Sequence, residues 1–153
     1  MTAQSQQAQQ QLYETDYNLW VLETINKLKN QDFQTIDWEN LIDEVSDLGR
    51  REKRRLESLL TRLLEHLLKL KYWDSERELN KNHWQREIRN FRKQIKRDLK
   101  ASPSLKSYLA EKFSELYQDA RELVSDASGL SLEHFAESPI APLEQVLDEN
   151  WLP

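Results

Sequence analysis

Leu56-Glu57-Ser58-Leu59-Leu60-Thr61-Arg62-Leu63-Leu64-Glu65-His66-Leu67-Leu68-Lys69-Leu70 places eight leucines in fifteen residues. Their spacings of three and four put them on one broad helical face, wider than the narrow seam of a coiled coil. Working toward the N-terminus, Trp38, Leu41, Ile42, Val45 and Leu48 carry an apolar pattern, and the positions from Leu41 to Leu70 keep one phase across Gly49. That continuity predicts one long helix capped by Asp37, whose carboxylate can accept from unpaired N–H groups of the first turn. A stop at Gly49 is the alternative, since glycine costs about 1 kcal/mol relative to alanine inside a helix.

The rest of the chain agrees with helices. Of 153 residues, 38% are hydrophobic and 32% charged, with two glycines, four prolines and no cysteine. Leucines number 25 against ten valines and isoleucines together, and unbranched side chains lose little rotamer freedom in a helix. The fold class expected is all-α: a bundle of about four main helices, a long leucine-rich one at its centre, and a C-terminal segment wrapped around it. Residues 1–11 are polar and glutamine-rich and read as a disordered tail, with 12–153 as a single helical domain. Without cysteine there is no disulfide framework or thiolate chemistry. No stretch has the length of a membrane span or the plan of a signal peptide, so the expected location is the cytoplasm.

Tyr13, Tyr17, Trp20, Val21, Ile25 and Leu28 mark a first helix from about Asp16 to Lys29, with the aromatic rings read as core packing. Asn30-Gln31-Asp32 breaks it, and Phe33 and Ile36 are expected to anchor the connection. Residues 74–83 read as a polar linker. Trp84, Ile88, Phe91, Ile95 and Leu99 then form one helical face opposite Arg86, Arg89, Lys93, Lys96, Arg97 and Lys100. Ser102-Pro103 predicts the start of a helix of about 25 residues, and Gly129 its left-handed end. A short helix from about Pro142 to Asp148 follows, and Trp151-Leu152 reads as a docked end.

Charge is laid out in blocks: residues 1–49 sum to −7, residues 50–100 to +9 and residues 101–153 to −7. Packing of the central helices against the outer ones satisfies that field internally, which is the simpler reading. The external reading is a polyanion surface on Arg50, Arg51, Arg54, Arg55, Arg86, Arg89, Lys93, Lys96 and Lys100. No aromatic side chains are interleaved with these charges to stack on bases, so nucleic acid is the less favoured partner.

Two further sets carry possible chemistry. Asp43, Glu44 and Asp47 share a helical surface at spacings of one and three to four residues, and with His66 they are the candidate ligands of a metal ion. Their bland reading is ion pairing with the basic block, and no histidine pair stands at metal-binding spacing. Glu52 falls within the apolar stripe and requires a basic or hydroxyl partner, for which Arg92, at the border of its own apolar face, is the candidate. No nucleophilic triad and no phosphate loop is legible, and the balance leans against an enzyme.

The order of motifs resembles the domain-of-unknown-function family numbered twenty-nine, small helical proteins abundant in cyanobacteria. The resemblance rests on Tyr13-x-x-Asp16-Tyr17-x-x-Trp20, Asp37-x-x-Asn40-Leu41-Ile42-Asp43-Glu44-Val45-x-x-x-Gly49 and His66-Leu67-Leu68-Lys69. Ser102-Pro103-Ser104-Leu105, Tyr117-x-x-Ala120-Arg121, Gly129-Leu130 and Gln145-Val146-Leu147-Asp148-x-x-Trp151-Leu152-Pro153 complete it. Family members often have Gln-Pro where this chain has Trp73-Asp74, and Cys-Pro where it has Ser138-Pro139, so a thiol role at that position does not apply. The resemblance implies a helical fold and brings no activity with it.

The functional expectation is a non-enzymatic protein-interaction or self-associating module. Its partner is another protein or a second copy in a homodimer, with no membrane and no cofactor. The metal site and the polyanion surface are the alternatives.

Overall fold

The computed structural model describes residue 8 and residues 11–153. The fold is all-α, with no strand among the described residues. Residues 11–15 are helical, and the helices that follow are α1 (Tyr17–Lys29), α2 (Trp38–Tyr72), α3 (Asp74–Ala101), α4 (Leu105–Ser128) and the short α5 (Leu143–Val146). The tail expected over 1–11 lies, Ala8 and Gln11 apart, outside the described residues. The chain divides into two compact units, Met1–Arg51 and Glu52–Pro153, and α2 contributes to both. No helix among the described residues is long and apolar enough to cross a membrane.

In the first unit α1 starts at Asp16, whose carboxylate accepts from the Leu19 N–H at 3.1 Å. After Lys29 the chain turns through Gln31, a non-glycine residue at φ 56°, into a 3-10 turn at Phe33–Thr35. Of the two expected anchors Ile36 is buried, while Phe33 stays exposed and leans on Trp38, whose Nε1 donates to the Phe33 carbonyl at 3.0 Å. Asp37 caps α2 through the Asn40 N–H at 3.3 Å. The helix runs on through Gly49 without interruption.

In the second unit all eight leucines from Leu56 to Leu70 are buried against Trp84, Ile88, Phe91 and Ile95 of α3 and Leu105, Leu109, Leu116, Tyr117, Ala120 and Val124 of α4. Each fully buried leucine contributes about 1.5–3 kcal/mol of transfer free energy, which makes this cluster the main source of the unit's stability. The polar linker expected over 74–83 is instead the first part of α3, because nothing there breaks a helix. Acidic residues in its first turn suit the positive end of the helix dipole. Only Trp73 separates α2 from α3. Arg77 closes the corner by donating to the Leu70 and Lys71 carbonyls, each at 2.7 Å, and by pairing with Asp74.

α4 begins at Leu105 rather than at Pro103: Ser102-Pro103-Ser104 forms a turn in which Leu105 N–H donates to the Ser102 carbonyl at 3.0 Å, and the Ser102 hydroxyl donates to Glu52. Gly129 ends it at φ 74° as the sequence predicts. The segment beyond wraps the unit: Phe135 and Val146 are buried, Tyr117 donates to the Ala136 carbonyl at 2.5 Å, and the Gln118 amide donates to the Glu137 carbonyl at 2.6 Å.

Candidate functional site

Among its described residues the first unit has little core of its own. Trp20, Thr24 and Ile36 are buried, while Tyr17, Leu22, Ile25, Leu28, Ile42, Val45 and Leu48 remain exposed. Between α1 and the start of α2 lies a groove of about 220 Å³, walled by Tyr17, Trp20, Val21, Thr24, Ile25 and Leu28 on one side and Leu41, Glu44, Val45, Leu48 and Arg51 on the other.

One end of the groove is built by a tyrosine clamp. Tyr13 donates to Glu44 Oε1 at 2.5 Å and Tyr17 to Oε2 at 2.6 Å, and both rings pack on Trp20. The two hydroxyl donors hold the Glu44 carboxyl below its usual range. The same bond, with burial, pushes the Tyr13 phenol up to about 12, and Tyr17 is raised for the same reason. The spacing of these rings predicts core packing and is silent on their hydroxyl partners. The legible signal was a pair of tyrosines four residues apart on the stripe that faces the acidic turn.

The metal candidates divide between the two units. Asp43 is exposed, Glu44 is engaged by the tyrosines, and Asp47 pairs with Arg50 at 2.8 Å. His66 belongs to the second unit. Among the described residues no three histidine or carboxylate side chains gather as a metal site.

His66 lines a separate open cleft of about 650 Å³ within the second unit, together with Arg54, Glu57, Ser58, Thr61, Arg62, Glu65 and Asp119. Its Nδ1 lies 2.7 Å from the Arg62 carbonyl, an acceptor only, so Nδ1 carries the proton and Nε2 the lone pair. Burial holds the imidazole below its usual pKa, and its ring packs edge-to-face with Phe91, the centroids 5.3 Å apart. Two of the cleft carboxylates have partners: Tyr108 donates to Glu57 at 2.7 Å and Lys69 pairs with Glu65 at 3.4 Å. The cleft therefore offers a neutral imidazole beside two engaged carboxylates, Glu57 and Glu65, without an acid or nucleophile bonded to it among the described residues.

Glu52 and Arg92 take separate partners. Glu52 is half-buried and accepts the Ser102 hydroxyl, the kind of partner its place in the stripe requires. Arg92 is buried and its Nε donates to the Val146 carbonyl at 2.8 Å, which ties α3 to α5. Desolvation lowers its pKa, opposed by the nearby charges of Asp148 and Glu149.

Of the nine basic candidates, Arg50 pairs with Asp47, Arg55 with Asp98 at 2.8 Å and Lys96 with Glu149 at 3.3 Å. Arg51, Arg54, Arg86, Arg89, Lys93 and Lys100 are exposed and hold no ion pair among the described residues. Exposed pairs such as these contribute at most about 1 kcal/mol each.

Fold and surface define an all-α protein with a leucine-filled core in one unit and an open apolar groove in the other. Residues 12–152 match the model of the family described as Domain of unknown function DUF29, and the chain belongs to that family, as its ordered motifs indicate. Neither a curated protein nor a solved structure matches it.

Proposed function

We propose that this chain is a non-enzymatic protein-interaction module whose contact surface is the open apolar face of its first unit. The observation that carries the reading is the exposure of Ile42 (60%), Val45 (60%) and Leu48 (61%) along α2. Contiguous exposed apolar surface of this kind marks a place where another protein docks, because covering it releases water at about 25 cal/mol per Å². The groove beside these residues has the form that takes an amphipathic helix.

A photo-crosslinking amino acid placed at Val45 in cells tests this, with Leu79, an exposed leucine of the second unit, as control. Discrete adducts at Val45 that Ile42→Asp suppresses support the reading. Equal or absent labelling at the two positions overturns it.

A further inference from the structure

We infer that the occupant of the open α2 face is a second copy of this chain, packed antiparallel across α2 and centred between Val45 and Ser46. The assignment rests on the interaction reading and names its partner. Its first support is Gly49. The backbone there is helical with no positive φ, and a Cβ added at Gly49 would meet nothing within 4 Å. Neither conformation nor packing among the described residues calls for glycine at a position where alanine gives a more stable helix. A second helix passing close over that point supplies the missing reason.

The register follows from helical phase. Ile42, Val45 and Gly49 stand at i, i+3 and i+7 and so share one face. A two-fold axis between Val45 and Ser46 sets Ile42 of each copy over Gly49 of the other, a branched side chain against the one place without one.

Charge supplies the second support. A two-fold axis across an antiparallel helix pair brings the same flank of both helices together. Asp43 and Arg50, seven residues apart, share a flank of α2, so Asp43 of one copy lies beside Arg50 of the other. On this flank Asp43 stands before the axis and Arg50 after it, with Asp47 beside Arg50, so the Asp43–Arg50 pairs between copies form only in the antiparallel sense. Arg50 is exposed, and its contact with Asp47 is a surface pair that can exchange at little cost.

Sedimentation equilibrium of the full chain over a concentration series tests this, with circular dichroism to check that each variant keeps its helices. The wild type is expected to show a monomer–dimer equilibrium. Gly49→Leu should weaken it by about tenfold or more, since the added side chain occupies the space of Ile42. Asp43→Arg and Arg50→Asp should each weaken it, and the double variant should recover most of the loss. A strict monomer, or a dimer that Gly49→Leu leaves unchanged, overturns the second-copy assignment. If that monomer still yields Val45 crosslinks to a different protein, the interaction reading survives its failure; if Val45 labels no better than Leu79, both fall.

Discussion

The two ends of α2 carry the same apolar stripe and give it opposite fates. From Leu56 to Leu70 the stripe is covered by α3 and α4 and every leucine is buried. From Ile42 to Leu48 it is exposed. Hydrophobic pattern therefore determines that a face seeks cover, and it does not determine whether that cover comes from the same chain. In the second unit the pattern works as core, where packing sets the energy. In the first it works as surface, where the same residue types contribute to stability only when something docks.

The sharpest way to break this contrast is truncation on each side of it. Leu60→Ala or Leu63→Ala should cost about 2–5 kcal/mol, through lost transfer energy and the cavity left behind. Val45→Ala, two carbons smaller on the same stripe, should stay within about 0.5 kcal/mol for the isolated chain. Urea unfolding followed by circular dichroism compares them. Similar losses at both places would remove the distinction between core and docking face.

A smaller effect tests how the second unit holds its wrapped segment. Tyr117 is fully buried and its hydroxyl satisfies the Ala136 carbonyl. Tyr117→Phe should cost about 1–2 kcal/mol by leaving that acceptor without its donor. Burial, then the nearby Tyr72, raises the Tyr117 pKa from 10.0 to about 12. Because the unfolded chain ionises first, this group's contribution is complete below pH 10 and is lost as pH rises toward 12. Thermal melts across that window should fall for the wild type and fall less steeply for Tyr117→Phe. An identical slope in the two proteins would mean that Tyr117 does not govern the alkaline limb.

The smallest effect has the most specific sign. Gly49→Ala should raise the stability of the isolated chain by up to about 1 kcal/mol, since the site has room and helical geometry. The same change should weaken association. A variant that gains stability while losing its partner is not expected if Gly49 serves the chain's own fold.

Much of the fold was legible because phase is written locally. The stripe through Gly49, the amphipathic face of α3 and the Gly129 cap all follow from residue spacing. Residues 74–83 misled because they lack apolar periodicity, yet they hold no glycine or proline, and Arg77 fastens the corner that begins them. Partners were less legible than burial. Glu52 was readable as a carboxylate in need of a donor, but that the donor is Ser102, and that Arg92 turns to Val146, depends on which helices meet. The Glu44 clamp has the same origin: Tyr13 and Tyr17 are legible as a stripe, while their shared acceptor lies 31 and 27 residues away.

Hydrogen exchange resolved along α2 and repeated over a range of protein concentration separates a docking face from a core. Amide protection over residues 41–51 is expected to rise with concentration while that over 56–70 stays high and constant. Protection over 41–51 that does not change with concentration would contradict a docking face there.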